Sequence, residues 1–179
     1  AAVIPKWISA ILNQKDVFIN GDGETSRDFC FIDNAVQMNL LAATTDNDDA
    51  TNQVYNVALN DCTTLNNLFQ MLEERLIQKI AGLEKKSPIY KDFRVGDIKH
   101  SQANINKARE LLGYQPMYDI SKGIDETIEW YFNSIGEKKM NDKEMVKKKQ
   151  VKVSKNKVGP TFKKKIINRK IRIAILGCG

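Results

Sequence analysis

A chain of 179 residues, of which 42 % are hydrophobic, is long enough to bury the core of about one domain. No apolar run approaches the roughly 20 residues that cross a bilayer, so no membrane partner is expected. The net charge of +6 is uneven, because residues 136–179 carry 15 Lys and Arg against 3 Asp and Glu, whereas residues 1–135 carry 13 against 19. The basic character therefore belongs to the C-terminal stretch, and residues 1–135 give no electrostatic indication of a nucleic-acid partner.

Short apolar runs and turn signals alternate near the start of the chain. Apolar side chains on one side of residues 5–13 predict a short helix. Residues 17–19 form a β-rich run, which the turn residues at 20–23 terminate. Because a second apolar stretch follows at residues 28–32, this part is predicted to hold one helix and two extended segments.

Two longer helices are predicted in the middle of the chain. Asp33 is placed to cap the first, which runs through Val36 and Leu40. Residues 54–57 then predict a strand. Residues 64–79 carry apolar side chains at helical spacing and predict the second helix.

The region that follows repeats this alternation of strand and helix. Residues 88–93 are predicted to be extended. Asn104 is placed to cap a helix over residues 105–112, and Gly113 is placed to stop it. Another amphipathic helix is predicted over residues 119–133. Short strands that alternate with helices predict an α/β fold.

The cysteines and the single histidine indicate no metal site and no nucleophilic triad. Cys30, Cys62 and Cys178 are odd in number, far apart, and show no zinc-binding spacing. They are interpreted as reduced thiols of a cytoplasmic protein. His100 is the only histidine, and nothing else in the sequence supports a Ser/His/Asp arrangement around it.

The C-terminal stretch changes composition and ends in a different pattern. Lysines dominate residues 136–169, which are interpreted as a linker or a solvated helix. Residues 170–179 then form an apolar run that leads into Gly177 and Gly179. A strand running into Gly-x-Gly is typical of the opening of a dinucleotide-binding turn, so these two glycines are candidate cofactor-binding residues.

Two polar stretches contain candidate anion-binding residues. A glycine turn at residues 21–23 leads to Arg27, whose planar guanidinium suits phosphate oxygens. Arg94 suits a second phosphate edge, and the Asp97 carboxylate suits sugar hydroxyls. The alternatives are a surface ion pair between Arg27 and Asp28, and a loop in which Asp97 or Ser101 satisfies backbone donors of the next helix.

Trp7 has two interpretations. Its indole could stack on a flat base, or it could pack in the core as most tryptophans on a helix face do.

Taken in order, three stretches resemble consecutive motifs of one family. They are AVIPKWISAIL…VFINGDGETSRDFCFIDNAVQMNLLA, VYNVALNDCTTLNNLF and FRVGDIKHSQANINKARELLGYQP. They resemble the extended short-chain dehydrogenase family, and within it the bacterial UDP-N-acetylhexosamine 4-epimerases of polysaccharide assembly. The resemblance covers residues 1–131 and implies the substrate-binding C-terminal part of an extended Rossmann-type epimerase.

The resemblance implies a role for each matching residue in a UDP-sugar site. The arginine of the SRDF stretch binds the nucleotide diphosphate in this family, and here it is Arg27. The arginine and aspartate of the RxGDxxHS stretch bind diphosphate and ribose, and here they are Arg94 and Asp97. The residues that match the segments along the uracil and facing the base and ribose are Ala2, Val3, Trp7, Ile19 and Asn20.

The resemblance also implies a mechanism whose catalytic residues are not found here. In this family NAD takes a hydride from the sugar while a Tyr, with a Lys four positions later, deprotonates the hydroxyl. Tyr118 and Lys122 match that spacing but follow the LGYQP stretch, so the match is interpreted as chance. No catalytic residue is therefore assigned, and the chain alone is expected to be inactive and not to bind NAD.

The last residues resemble a second enzyme. KIRIAILGCG is similar to the first strand of sugar dehydrogenases of the glucose-fructose oxidoreductase type. The predicted organisation is a nucleotide-sugar-binding part at 1–135, a lysine-rich linker at 136–169 and the truncated start of a second dinucleotide-binding domain at 170–179.

Three functional hypotheses stay open at this stage. The first is a cytoplasmic, homodimeric epimerase that acts on a UDP-N-acetylhexosamine or its uronic acid. The second is a sugar-nucleotide dehydratase or decarboxylase of the same fold. The third is a non-catalytic binding module whose basic tail binds polyanions.

Overall fold

The computed structural model describes residues 2–133 and the strand at residues 172–174. Its elements in chain order are α1 (Val3–Leu12), β1 (Phe18–Asn20), β2 (Ser26–Arg27), α2 (Ile32–Thr44), a 3₁₀ turn (Asp48–Ala50), β3 (Val54–Asn56), β4 (Thr63–Thr64), α3 (Leu65–Lys79), β5 (Ile89–Lys91), β6 (His100–Ser101), α4 (Asn106–Leu112), α5 (residues 120–133) and β7 (Arg172–Ala174).

The strands are short and pair in three separate groups. Strands β1 and β5 are parallel, and so are β3 and β7. Strand β2 lies between β4, to which it is antiparallel, and β6, to which it is parallel. Together with the helices, this arrangement confirms the predicted α/β class.

Two hydrophobic clusters form the core. The first, which we call the helical cluster, joins α1, α3 and α5 around β1. The second joins α2, β3 and α4, with Tyr114 fully buried in it. The main buried side chains of the helical cluster are Trp7, Ile8, Ile11, Val17, Ile19, Leu68, Phe69, Leu72, Leu76, Ile124 and Ile128.

Two ion pairs at the surface also connect α3 with α5 in the helical cluster. Arg75 of α3 pairs with Asp125 of α5, and Lys79 pairs with Glu129 one turn later. Exposed pairs of this kind each contribute little, so burial of the apolar side chains between the helices dominates their packing.

Several predicted element boundaries are confirmed by specific contacts. Thr64 caps α3, because its hydroxyl accepts a hydrogen bond from the Asn67 backbone N–H at 3.1 Å. Gly113 ends α4 in the left-handed conformation, with φ of 65°. The extended segment predicted at residues 88–93 contains β5.

Other boundaries and faces differ from the prediction. Asp33 does not cap α2, because Phe31 occupies the N-cap and Asp33 lies in the first turn. There its carboxylate still interacts favourably with the positive end of the helix dipole. Val36 and Leu40 are exposed. The residues of α2 that face the core include Ala35 and Met38.

The predicted Asn104 cap is displaced by one residue. Ile105 occupies the N-cap of α4, and the Asn104 side chain accepts a hydrogen bond from the Asn106 N–H at 2.9 Å. Asparagine therefore stabilises the turn that leads into the helix instead of capping it. Helix α1 begins earlier than predicted, at Val3.

Buried Asp28 connects distant segments behind β2. Its carboxylate accepts hydrogen bonds from the backbone N–H groups of Leu59, Asn60 and Ala103, at 2.9, 3.0 and 3.3 Å. The side chain is only 6 % exposed, so these donors replace the water that an ionised carboxylate needs. Asp28 therefore fixes the position of the loop after β3 and of the segment before α4 relative to β2.

Within the described residues, no helix has the length and apolar character needed to cross a membrane. The same residues contain no group of three or more His, Cys, Asp or Glu side chains that could hold a metal ion.

Candidate nucleotide-binding site

Arg27 lies on the central strand β2, on the opposite face from its sequence neighbours Ser26 and Asp28. Residues along a strand alternate between faces, and Ser26 and Asp28 are both buried while the Arg27 side chain stays 17 % exposed. The backbone is held on both sides, because Arg27 is opposite Thr63 of β4 and Ser101 of β6. This strand pairing brings residues 63 and 101 to Arg27, although they lie far from it in sequence.

Arg27 forms an ion pair with Asp97. Its Nη2 donates to Asp97 Oδ1 at 2.7 Å, and its Nη1 donates to the Ser26 carbonyl at 2.8 Å. The interpretation of Arg27 and Asp28 as a surface pair is therefore wrong, because strand alternation turns Asp28 inward. The two contacts hold the guanidinium in place while part of it remains accessible.

A tight turn places Arg94 close to the same pair. The Asp97 N–H donates to the Arg94 carbonyl at 3.1 Å, which closes a four-residue turn. Gly96 has a φ of 80° at the third position of that turn, a conformation that favours glycine. Arg94 is exposed, and no hydrogen bond to its guanidinium occurs among the described residues. The structure thus links Arg94 to Asp97 through the backbone of the turn, and Asp97 to Arg27 through the ion pair.

The arrangement suits a ligand that carries both phosphate and hydroxyl groups. Guanidinium groups suit phosphate oxygens, and here one belongs to Arg27, which pairs with Asp97, and the other to Arg94, which shares a turn with Asp97. In the described part of the chain Asp97 uses only Oδ1, so Oδ2 is available to accept hydrogen bonds from a diol. We call Arg27, Arg94 and Asp97 the arginine cluster.

The comparisons with known proteins identify relatives of this chain. Residues 1–58 match the model of the NAD dependent epimerase/dehydratase family. The structure is similar to UDP-N-acetylglucosamine 4-epimerase from Methanobrevibacter ruminantium M1, with 38 % identity, a TM-score of 0.63, and coverage of 75 % of this chain and 40 % of that one. It is also similar to UDP-glucose 4-epimerase from Thermotoga maritima, with 32 % identity, a TM-score of 0.64 and the same coverage.

The chain belongs to the NAD-dependent epimerase/dehydratase family. It spans about 40 % of the length of most of the curated relatives it matches, which include UDP-sugar 4-epimerases, a decarboxylase and a 4,6-dehydratase. The related UDP-glucuronic acid 4-epimerase from Bacillus cereus, at 27 % identity and a TM-score of 0.58, was solved with UDP-glucuronic acid and NAD; the match covers 69 % of this chain and 37 % of that one.

The glycine turn that precedes β2 in this epimerase-family chain is held from two sides. Gly21 and Gly23 have φ of 77° and 79°, and a Cβ added at Gly21 would collide with the ring of Phe93. Asn66 of α3 donates to the Asp22 carbonyl at 3.1 Å and to the Glu24 carboxylate at 2.7 Å. The turn is therefore fixed by side chains on both sides, and this fixes the entry into β2.

A contact between Ser26 and His100 was not predicted. The Ser26 Oγ lies 2.9 Å from His100 Nδ1, and the two residues are opposite each other in the parallel pair of β2 and β6. His100 belongs to the same sequence stretch as Arg94 and Asp97, but nothing in the sequence indicates its partner. The contact joins β6 to β2 next to Arg27.

The residues predicted to lie along the base differ in accessibility. Trp7 is 6 % exposed and packs edge-on against Phe69, with ring centroids 6.0 Å apart. Ile19 is 1 % exposed. The burial of Trp7 favours the core interpretation and leaves no open indole face for stacking. Ala2 and Asn20 are exposed and Val3 is half-buried, so these positions stay accessible to a ligand.

Tyr118 lies outside any long helix. It precedes α5, its carbonyl accepts a hydrogen bond from the Asn34 side chain at 2.8 Å, and its ring packs against Phe31 with centroids 4.9 Å apart. Lys122 lies in α5. The interpretation of the Tyr118 and Lys122 spacing as chance stays a prediction.

The two described cysteines are free thiols in different surroundings. Burial raises the pKa of the Cys30 thiol, with a further contribution from the nearby Asp28 carboxylate. Burial also raises the pKa of Tyr114, whose hydroxyl donates to the Ala58 carbonyl at 3.1 Å. Cys62 is exposed. Cys178, like the candidate glycines Gly177 and Gly179, lies outside the described residues.

Proposed function

We propose that this chain is the UDP-sugar-binding part of an NAD-dependent 4-epimerase that acts on a UDP-N-acetylhexosamine or its uronic acid. The proposed role is in the synthesis of precursors for bacterial surface polysaccharides. The observation that carries the proposal is the arginine cluster, in which Arg27 pairs with Asp97 and a tight turn adds Arg94.

Each member of the cluster has a separate role in the proposal. Arg94, which is exposed, binds the diphosphate directly. Arg27 binds the diphosphate with the guanidinium N–H groups that its two contacts leave free, and it also orients Asp97. The free Asp97 oxygen accepts hydrogen bonds from ribose hydroxyls.

The described residues do not fit NAD. A dinucleotide site needs a strand that runs through a glycine-rich turn into a helix, so that the pyrophosphate meets the helix N-terminus. Here β1 runs through Gly21 and Gly23 into another strand, β2. We therefore assign the nicotinamide cofactor of the family to the part of the relatives that this chain does not span, and no step of hydride transfer to residues 2–133.

A dehydratase or decarboxylase of the same family is the second candidate. The decarboxylase and the 4,6-dehydratase among the relatives support it, because they match about the same share of this chain as the epimerases do. The nucleotide-binding residues serve either reaction, so the arginine cluster alone does not discriminate between them. We favour the epimerase because the two structures described above with more than 30 % identity are both 4-epimerases.

The proposal includes a cytoplasmic enzyme that assembles as a homodimer. Its location is supported by the two free thiols, Cys30 and Cys62, since reduced cysteines are typical of that compartment. Analytical ultracentrifugation of the purified protein tests the oligomeric state.

Calorimetric titration with UDP, UDP-N-acetylglucosamine and NAD tests the proposed function. We expect the chain to bind both uridine nucleotides and not NAD. Binding of NAD without UDP, or of neither uridine nucleotide, would contradict the proposal.

A deletion of residues 136–179 separates the proposal from a polyanion-binding module. This deletion removes 15 Lys and Arg but leaves the arginine cluster intact. We expect UDP affinity to stay unchanged within about twofold, because a bound nucleotide would contact only residues before the deletion. Loss of UDP binding together with salt-sensitive binding of the full chain to heparin would favour the polyanion module instead.

A further inference from the structure

An exposed aromatic ring lies against the glycine turn and belongs to the residue before Arg94 of the arginine cluster. Phe93 is 59 % exposed although it is a large apolar side chain, and one side of its ring covers Gly21. It directly precedes Arg94, the exposed arginine of the cluster. Most of the residue is therefore open to solvent, and the residue that follows it is one that the proposed function assigns to a nucleotide.

The position of the ring is set by the backbone on both sides. The Gly21 N–H donates to the Lys91 carbonyl at 2.8 Å, which continues the pairing of β1 with β5 up to the glycine turn. Because Gly21 has no Cβ, the Phe93 ring can lie directly against its backbone. The ring thus lies against a turn whose backbone is hydrogen-bonded to the end of β5.

Other aromatic side chains of this region make contacts of their own. The Phe18 ring has the Lys91 ammonium over it, 3.7 Å from the centroid. The Tyr90 hydroxyl donates to the Asn66 side chain at 2.9 Å. Trp7, the residue predicted for stacking, is buried. The hydrogen bond of Tyr90 uses its hydroxyl and not its ring, so position distinguishes Phe93, which directly precedes Arg94.

We propose that Phe93 is the stacking platform for the nucleobase of the bound nucleoside diphosphate. The inference rests on the proposed function and adds the residue that holds the base. Arg27 and Arg94 hold the diphosphate, Asp97 holds the ribose, and the base lies on the open face of Phe93 beside Asn20. An aromatic face binds any base through stacking, so Phe93 contributes to affinity and leaves the choice of base to hydrogen-bonding groups.

The test compares the ligand UDP, which has a base, with inorganic pyrophosphate, which has none. Phe93→Ala is expected to raise the Kd for UDP about tenfold, which is within the range for the loss of one stacked base. The same variant is expected to bind pyrophosphate within about twofold of the unchanged protein, measured by calorimetry on both proteins. Phe93→Tyr keeps the aromatic face and is expected to retain UDP affinity within about threefold.

One further variant separates the effect of aromatic stacking from that of side-chain size, and a second is a control. Phe93→Leu still covers Gly21 but has no aromatic face, and it is expected to lose UDP affinity as the alanine variant does. Trp130→Ala removes an aromatic side chain that is 63 % exposed on α5, and it is expected to leave both affinities unchanged.

The outcomes distinguish this inference from the proposed function. If Phe93→Ala keeps full UDP affinity, or loses UDP and pyrophosphate equally, Phe93 is not a base platform, although the nucleotide site stands. If the unchanged protein binds pyrophosphate but not UDP, or neither ligand, the proposed function fails and the inference fails with it.

Discussion

Helices α1, α3 and α5 bury their apolar side chains in the helical cluster, whereas every residue between 89 and 100 is exposed. Leu72 of α3 is 0 % exposed, and Val95 of the exposed segment is 101 % exposed. Yet the exposed segment contains Arg94, Asp97 and Phe93, the residues assigned to ligand binding. In this chain packing and recognition are supplied by different stretches of sequence.

The difference shows how a sparsely packed segment keeps a defined geometry. Residues 89–100 are held by backbone pairing of β5 with β1 and β6 with β2, by the turn at Gly96, and by the pair of Asp97 with Arg27. These contacts are polar and directional, so they specify position with little buried apolar area. Truncation of a side chain should therefore affect stability in the helical cluster and ligand binding in the exposed segment.

The largest effect is expected from a cavity in the helical cluster. Leu72→Ala removes a fully buried side chain and should lower the free energy of unfolding by about 2–5 kcal/mol. Val95→Ala, the matched control, should change it by less than about 0.5 kcal/mol because Val95 has no packing to lose. Urea denaturation followed by circular dichroism measures both, and equal effects would contradict the division between the two regions.

Asp28 should be the most sensitive polar residue behind β2. Asp28→Asn keeps the shape but replaces a carboxylate oxygen with an amide that faces backbone N–H donors. We expect a loss of about 2–3 kcal/mol in the free energy of unfolding, since buried donors lose a charged acceptor. Asp33→Asn in the exposed first turn of α2 is the control and should cost less than about 1 kcal/mol. A similar loss in both variants would mean that Asp28 has no special role.

Substitutions in the arginine cluster should reduce ligand affinity rather than the free energy of unfolding. Arg27→Ala and Arg94→Ala should each weaken UDP binding by about 1.5–3 kcal/mol, the cost of a lost charge-assisted contact. Arg94→Ala should leave stability unchanged because the side chain is exposed, and Arg109→Ala on α4 should change neither property. Calorimetric titration gives the affinities, and undiminished UDP binding in both cluster variants would refute the assigned roles.

The smallest expected effect is a difference in thiol reactivity between the two described cysteines. In a Cys178→Ser background, exposed Cys62 should react with a thiol reagent such as Ellman's reagent faster than Cys30 at pH 8. The thiolate is the reactive form, and the raised pKa of Cys30 lowers its thiolate fraction at that pH. The Cys30 rate should keep rising as the pH is increased further. Single cysteine-to-serine variants identify the two rates, and a faster Cys30 would contradict its burial.

Elements that depend on local sequence were predicted well. Helix α3 follows from its apolar spacing, and the end of α4 follows from Gly113. Both signals act within one or two helical turns, where chain connectivity determines the geometry. The resemblance to the family implies one site for Arg27, Arg94 and Asp97, and this stays a prediction. The structure pairs Arg27 with Asp97 and closes a turn between Arg94 and Asp97.

Features that depend on strand pairing were not predictable from the residues. The sequence neighbours Arg27 and Asp28 suggested an ion pair, but alternation along β2 separates them and pairs Arg27 with a residue 70 positions away. The contact between Ser26 and His100 spans 74 positions and has the same origin. The burial of Trp7 depends on α3, whose packing against α1 cannot be inferred from the spacing within either helix.

Strand β2 receives its neighbours from residues 63–64 and 100–101, so the arginine cluster exists only when distant parts of the chain have folded together. A ligand of that cluster binds the native state and not the unfolded chain, and by mass action it must oppose unfolding. At a concentration of about 100 times its Kd, a nucleotide would add roughly 2.7 kcal/mol to stability. The melting temperature is thereby linked to the supply of nucleotide, and protection from proteolysis would rise and fall with it.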